Sequence, residues 1–374
     1  MNIVRLGNYV KIKTGKLDAN AANENGKYPF FTCSVEPLSI NTYSYDCECV
    51  LIAGNGDLNV KYYNGKFDAY QRTYIVESLN KEVLTVPYLY RFMDKYIEKL
   101  REQSIGGVIK YIKLGNLTEA NINLPSCDEQ NKIVENLAYV DDLISKTKEQ
   151  LAALDVIVKS RFIEMFGDPV KNTLGWPIKT LGDISSLITN GNTPKGGSQN
   201  YVADGILFLR SQNVWRNRID LEDVAYITKE IHDSLKKSSL HNRDILITKT
   251  GRVNTENSSL GRAALFVGED NSANINGHVY LVRLKNGVIP EFVLSILIGE
   301  EYRRYIRKVC VGGIDKRQIN LDQVEDFPII LPPVQMQQRF VDFVAQVDKS
   351  KLAVQQSLNE LETLKKSLMQ QYFG

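Results

Sequence analysis

The sequence predicts an α+β protein of two similar halves, each a globular module followed by a long heptad helix. Three observations predict this. First, one stretch occurs twice, as Leu124-Pro125-Ser126-Cys127-Asp128-Glu129-Gln130 and as Leu331-Pro332-Pro333-Val334-Gln335-Met336-Gln337. Second, each copy opens a run of apolar residues stepping four then three. The first run is Ile133, Leu137, Val140, Ile144, Thr147, Leu151, Leu154, Val158, Arg161 and Met165. The second is Phe340, Val344, Val347, Lys351, Val354, Leu358, Leu361, Lys365, Leu368 and Tyr372. In each run only two positions are strongly polar. A period of 3.5 sustained over five heptads predicts a coiled-coil seam rather than the face of a globular helix. Third, the offset of 207 from Ile133 to Phe340 also carries Phe166-Gly167 onto Phe373-Gly374. A repeat of this size makes the chain two halves, and two seams of matched length can pack on each other.

The first half opens with Val4-Arg5-Leu6-Gly7, then a polar loop from Lys16 to Lys27. Strand-like runs follow at Tyr28–Thr32, Cys49–Ala53 and Tyr74–Val76, with a glycine turn at Gly54-Asn55-Gly56-Asp57. Pro87 predicts a helix start, with the helix running from Tyr88 to about Gln103 and stopped by Gly106-Gly107. Asn121–Pro125 reads as a short edge strand that feeds the first heptad helix. Phe166-Gly167-Asp168-Pro169 stops that helix, since Gly then Pro ends a helical pattern.

The second half repeats this order with longer loops. Thr180-Leu181-Gly182 answers Arg5-Leu6-Gly7, and Ile206–Ser211 answers Tyr28–Thr32. Asp244–Gly251 answers Cys49–Gly56, and Val279–Val282 answers Tyr74–Val76. A helix is expected after Pro290, ahead of Gly312-Gly313, and Asp326–Pro332 feeds the second heptad helix. The offset is 175 between the Leu-Gly pairs and 207 at the helices, so the second module carries 32 more residues. Shared frames with different loops are what two recognition modules of different specificity require.

The chain has 374 residues, 43% hydrophobic and 24% charged, enough for two or more cores. Its net charge of +2 does not suggest a polybasic tail, so any nucleic-acid contact must come from local patches. The N-terminus lacks the apolar run of a signal peptide, and no apolar run approaches a membrane span. Cys33, Cys47, Cys49, Cys127 and Cys310 are scattered and odd in number, without zinc spacing. Reduced thiols and a cytoplasmic location are expected, with no metal and no cofactor.

Catalytic signatures do not appear. Leu331-Pro332-Pro333-Val334 lacks the polar first residue and final aromatic of an adenine methyltransferase tetrapeptide. Gly54-Asn55-Gly56-Asp57 lacks the third glycine of a dinucleotide loop, and no Walker-type loop occurs. His232, His241 and His278 have no spacing that suggests a metal site or an activated nucleophile.

The Leu-Pro opening with Glu129-Gln130, the repeated heptads, Phe166-Gly167-Asp168-Pro169, and the runs Val50–Gly56 and Ile245–Gly251 together resemble the DNA-specificity subunit of type I restriction–modification systems. The resemblance covers the whole chain. It departs at Met336-Gln337, where the family pattern has Glu-Gln; Met is a good helix former, so the helix is unaffected. The resemblance implies two α/β target-recognition domains with a pseudo-two-fold repeat, separated by two long antiparallel coiled-coil helices. The expected boundaries are 1–127 and 168–333 for the recognition domains, with 128–167 and 334–374 as spacer helices. The resemblance further implies a non-catalytic subunit in which each domain reads half of a split site on double-stranded DNA. The implied partners are two methyltransferase subunits and, in the full complex, restriction subunits that use ATP. A helix of about 38 residues is roughly 57 Å long, so an antiparallel pair would hold the modules at opposite ends, within reach of successive major-groove segments.

Base edges are read by Arg, Lys, Asn, Gln and His, and phosphates by cations and hydroxyls. The candidate DNA-contacting residues of the first half are Lys13, Lys16, Lys27, Asn55, Lys61, Tyr62, Tyr63, Arg72, Lys110, Tyr111 and Lys113. Those of the second are Lys195, Arg210, Gln212, Asn213, Lys249, Arg252, Asn254, Asn276, His278, Lys316 and Arg317. Singly, each is equally well a solvated surface charge, and Tyr62 and Tyr63 equally well strand residues in a core. Two other functions fit less well: a coiled-coil adaptor that binds only proteins, and a fused methyltransferase, which the missing motifs disfavour.

Overall fold

The computed structural model describes residues 2–253, 255 and 257–374, and divides into two compact units. The first comprises Met1–Gln150 with Val354–Gly374, the second Leu151–Ala353. Each long helix therefore contributes a stretch to each unit.

The first unit is built on a six-stranded sheet in the order Val10–Thr14, Thr73–Ser78, Tyr45–Ala53, Val60–Ala69, Tyr28–Phe31, Leu38–Ile40. All pairs are antiparallel except Tyr28–Phe31 with Val60–Ala69. Side chains alternate across the pleat. Val50 and Ile52 thus face the helix Val86–Gln103, while Cys49 and Leu51 pack with Phe31, Phe67 and Ile75 on the other face. That helix starts at Val86, two residues before the sequence-based boundary, with Thr85 as its N-cap. Asn121–Asn123 pairs with Ile3–Arg5, the expected short strand.

The second unit repeats the central strand order as Ser185–Asn190, Val279–Leu284, Ile245–Thr248, Ala263–Leu265. A parallel pair recurs too, Ile206–Leu209 with Ala273–Ile275. The single helix expected after Pro290 is two, Pro290–Leu297 and Glu300–Val309. The break falls at Gly299, whose backbone is extended and which caps the second helix. The added residues lie chiefly between Gly191 and Asp244, where they form small turns and a β-hairpin, Val214–Trp215 with Arg218–Ile219.

The heptad stretches form two helices of 40 residues each, Cys127–Phe166 and Val334–Phe373. Gly167, at φ +72°, terminates the first as its Gly-Pro signal predicts. Within the first unit Lys148 meets Glu362 at 3.1 Å and Asp141 meets Lys365 at 2.7 Å. Within the second, Asp155 meets Lys351 at 2.5 Å and Phe162 meets Phe340 at 5.3 Å between centroids. In each unit one number rises as the other falls, so the helices pair antiparallel. The four polar seam residues are accounted for: Lys351 and Lys365 form cross-helix ion pairs, the Thr147 hydroxyl donates to Leu143 O at 2.7 Å, and exposed Arg161 pairs with Glu164 at 2.8 Å and lies over the Phe343 ring.

Ile133, Leu137, Val140, Phe340, Val347 and Leu358 are buried, and Ile144, Leu151, Leu154, Val158, Val344, Val354, Leu361 and Leu368 half-buried. Near each C-terminus the buried face steps from the heptad register onto Phe162 and Phe166, and onto Met369. An α-helix drifts against a 3.5 repeat, and here it turns from its partner helix into a module core. Phe166 contacts Phe292 and Phe340 at 5.0 and 5.6 Å, and Phe373 reaches Tyr88 at 5.2 Å. Each module's core is thus closed by the start of one long helix and the end of the other.

Candidate nucleic-acid interface

In each unit the same four loops gather at one edge of the sheet. In the first unit, Gly15 N donates to Thr73 O at 3.0 Å, and a Cβ at Gly15 would lie 2.2 Å from Ala69 O, so only glycine fits. Gly54 N donates to Arg72 O at 2.8 Å, Gly56 N to Lys110 O at 2.9 Å, and Ile112 N to Gly54 O at 3.0 Å. The Tyr74 hydroxyl then fixes the last loop by donating to Ile112 O at 3.2 Å. These bonds enclose a cleft of about 360 Å³ lined by Thr14, Gln71, Arg72, Tyr111 and Lys113, among others.

The second unit has the same wiring with other side chains. Gly191 N donates to Val279 O at 3.1 Å, and a Cβ there would meet Ile275 O at 1.9 Å. Lys249 N donates to His278 O at 2.8 Å, Ile319 N to Lys249 O at 3.0 Å, and the Tyr280 hydroxyl to Ile319 O at 2.8 Å. Thr250–Arg252 pairs with Lys316–Gln318. A neighbouring cleft of about 350 Å³ is lined by Gln212, Trp215, Arg252 and Arg262, among others. By this wiring Lys249 stands where the first unit has Gly54, and His278 where it has Arg72.

The structure brings together Asn55, Arg72, Lys110, Tyr111 and Lys113 in the first unit, with exposed Lys16 beside Gly15. Lys27 is exposed ahead of Tyr28–Phe31. The other candidates of this half are on strands. Lys13 bonds Glu77 at 2.8 Å, which raises its ammonium above the usual value. Lys61 donates to the Asn59 side chain, and burial lowers its ammonium. The Tyr62 hydroxyl donates to Glu48 at 2.8 Å and is pushed up to about 12, by burial first and by that bond second. Tyr63 packs on Phe31 and Phe67, the core reading of that residue.

In the second unit Lys249, Arg252, His278, Lys316 and Arg317 surround the matched hairpin, and Lys195 is exposed on the loop after Gly191. Arg210 and Gln212 both bond Asp223, at 3.0 and 2.5 Å. Asn213 is buried: its Oδ1 accepts from Arg210 N, and its Nδ2 donates to Asp220 O and Asp223 O. Asn276 is buried and accepts from His278 N at 3.1 Å. These two asparagines shape the loops that present their neighbours. Asn254 lies outside the described residues.

Two residues that shape the second cleft were not singled out from the sequence: Trp215, and Arg262, which is buried and donates to Ser258 O at 3.1 Å and to Asn257 O. The Arg262 guanidinium lies 3.9 Å from the Trp215 ring, and both line the second cleft. Burial, with Arg303 nearby, lowers the Arg262 pKa. The signal was Trp215-Arg216-Asn217-Arg218, an aromatic among cations in a tight turn with Asn217 at φ 59°. Among the described residues no cluster of His, Cys, Asp and Glu has metal-binding geometry, and no helix is long and apolar enough to cross a membrane. Burial pushes the Cys47 and Cys49 thiols up, which keeps them protonated. What the two edges offer is hydrogen-bonding side chains on a frame of cations, suited to a polyanion with readable edges.

Residues 1–155 and 174–363 match the family model described as "Type I restriction modification DNA specificity domain". The chain is 42% identical over 156 residues to the "Type I restriction enzyme EcoDI specificity subunit" of Escherichia coli, a match spanning 42% of this chain and 34% of that relative. It is 25% identical over 313 residues to the MjaIX specificity subunit of Methanocaldococcus jannaschii, spanning 77% of this chain and 68% of that one. The fold is that of the S subunit of a type I restriction–modification system from M. genitalium: TM-score 0.58 at 15% identity, over 100% of this chain and 96% of that one.

Proposed function

The chain belongs to the type I restriction modification DNA specificity family, and from that premise we propose that it is the sequence-reading subunit of a DNA methyltransferase assembly. Each module reads one half of a bipartite site on double-stranded DNA through its four-loop edge. The long helices space the modules and dock two methyltransferase subunits, to which restriction subunits add in the full complex. The chain works in the cytoplasm and supplies recognition, with the chemistry carried by its partners.

The observation that carries this reading is the matched wiring of the two edges with unmatched side chains. Gly54, Arg72 and Tyr74 correspond through their bonds to Lys249, His278 and Tyr280. Structural residues such as the paired tyrosines stay, whereas exposed Arg72 is answered by exposed His278, and Gly54 by Lys249. A frame kept for packing and a surface varied for readout is the division that two different half-sites demand.

The test is reconstitution with the methyltransferase subunits, measuring affinity for DNA against salt. Log affinity should fall steeply with log salt, by about 0.9 per phosphate neutralised, and one duplex sequence should be preferred. A flat salt response without sequence preference would instead support a purely protein-binding adaptor.

A further inference from the structure

Each four-loop edge carries one feature that direct readout does not use. In the first unit the chain turns back between Ile105 and Tyr111, which bond each other at 3.0 and 2.8 Å. Gly106 sits at φ +121°, where a Cβ would lie 2.5 Å from Ile109 O. Two residues later Val108 is fully exposed, and Ile109 is 62% exposed. In the second unit Val311–Gly312 pairs with Lys316–Gln318. Gly312 sits at φ +129°, with Lys316 O 2.9 Å from where a Cβ would be. Two residues later Ile314 is 89% exposed.

A single exposed apolar residue needs no explanation. These two are different because they recur at one position of one motif. Each is β-branched, and each stands two residues beyond a positive-φ backbone position that only glycine readily serves. Each tip is also stiff at its base. Gly56 N holds the first hairpin through Lys110 O, and Thr250–Arg252 holds the second as a third strand. Cations flank both: Lys110 and Lys113 in one, Lys316 and Arg317 in the other. The carboxylate beside Ile314, Asp315, is paired with Arg252 at 3.3 Å.

A rigid apolar point between cations suits a base-pair step flanked by phosphates. Val and Ile are of the size that DNA-bending proteins insert between bases, at an unstacking cost repaid by the contacts a deformed duplex allows. Resting on the proposed DNA-reading function, we propose that Val108 with Ile109, and Ile314, are wedges, each opening a single base step in the half-site its module reads.

The experiment uses the assembled methyltransferase complex and a duplex carrying the sequence it methylates. 2-Aminopurine is placed at successive positions in each half-site, other than the methylated adenine. Binding should raise fluorescence at one step in each half. Val108→Ser with Ile109→Ser should abolish the rise in one half only, and Ile314→Ser in the other only. Affinity for the intact duplex should fall about tenfold, but by less than about twofold when the same step carries a mismatch that is already unstacked. The slope of log affinity on log salt should stay the same, since every cation remains. Val108→Leu should keep the signal. Equal losses on intact and mismatched duplexes, or no fluorescence rise with the unaltered complex, would overturn the wedge. So would serine variants that keep the signal and lose the methyltransferase subunits, which would make the tips protein contacts. A complex that binds DNA with no sequence preference would fail at the proposed function itself; one that binds its site without unstacking fails only here.

Discussion

Gln130 and Gln337 occupy the same position of the repeat, and replacing each by Met should have very different consequences. Gln130 is fully buried with all its bonds made. Its Oε1 accepts from Thr85 N at 2.9 Å and from the Thr85 hydroxyl at 3.2 Å. Its Nε2 donates to Val83 O at 2.8 Å and Pro125 O at 2.9 Å. Thr85 is the N-cap of the helix Val86–Gln103, so this side chain ties the module's main helix to the start of the long one. Met keeps the volume but strands four half-buried polar groups, each costing up to about 1–3 kcal/mol if neither water nor another group replaces the bond. With partial relaxation at the two carbonyls, Gln130→Met should cost about 3–5 kcal/mol. Gln337 makes one bond, from its Nε2 to Pro332 O at 2.8 Å, and its buried Oε1 has no partner among the described residues. Gln337→Met loses that bond but also removes the unpaired oxygen, a net change of about 0–1 kcal/mol. Urea denaturation, followed by tryptophan fluorescence for the second unit and by hydrogen exchange of 86–103 for the first, separates the two. Equal destabilisation by the two substitutions would refute the reasoning.

Further predictions concern the helices and the loops. Burial pushes the Asp141 carboxyl up, but bonds from Lys365 at 2.7 Å and Arg91 at 2.6 Å outweigh it and hold it below the usual range. A depressed pKa contributes stability above the unfolded value and loses it as pH falls through the folded one. Asp141→Asn should therefore cost about 1 kcal/mol at neutral pH after solvent screening, and denaturation curves should show the difference shrinking as pH falls through the carboxylate range and gone once the folded-state carboxyl is protonated. Leu358→Asp buries a charge at a position only 6% exposed. It should cost several kcal/mol and reduce co-purification of methyltransferase subunits. Arg72→Ala and Arg252→Ala should each weaken DNA binding by about 1–3 kcal/mol if bidentate to a base, relaxing specificity in one half-site only; motif analysis of methylated DNA reads this directly. Removing a whole heptad from each long helix should change the spacer of the methylated motif and leave the bases of both halves as they were.

The long helices were legible because a heptad pattern is local: their paired ends, the Gly167 stop and most buried positions follow from spacing alone. The step onto Phe162 and Phe166 was not, because it depends on Phe292 and Phe340 waiting in a core built from distant sequence. The strand frame was legible in outline through its apolar runs. Val60–Ala69 escaped because polar and aromatic residues mix around Gly65, so its pairing with Tyr45–Ala53 on one side and Tyr28–Phe31 on the other defines it. Among the loop residues, type indicated chemistry but not exposure. Asn213 has the side chain of a base reader yet spends both ends of its amide on nearby backbone, and Asn276 gives its Oδ1 to His278 N. Trp215 and Arg262 are far apart in sequence, and only the fold stacks them. Gly106-Gly107 and Gly312-Gly313 read as helix stops, whereas the apolar tip beyond each emerges only once exposure is known.

The most direct test of the central claim, that two modules read two half-sites independently, is methylome sequencing of a module swap. The second module, between Phe166-Gly167 and Leu331-Pro332, is exchanged for that of a relative with a different target, and the hybrid is expressed with its methyltransferase subunits. The expected product is a methylated motif with one half replaced, and with the other half and the spacer unchanged. A motif altered in both halves together would contradict it.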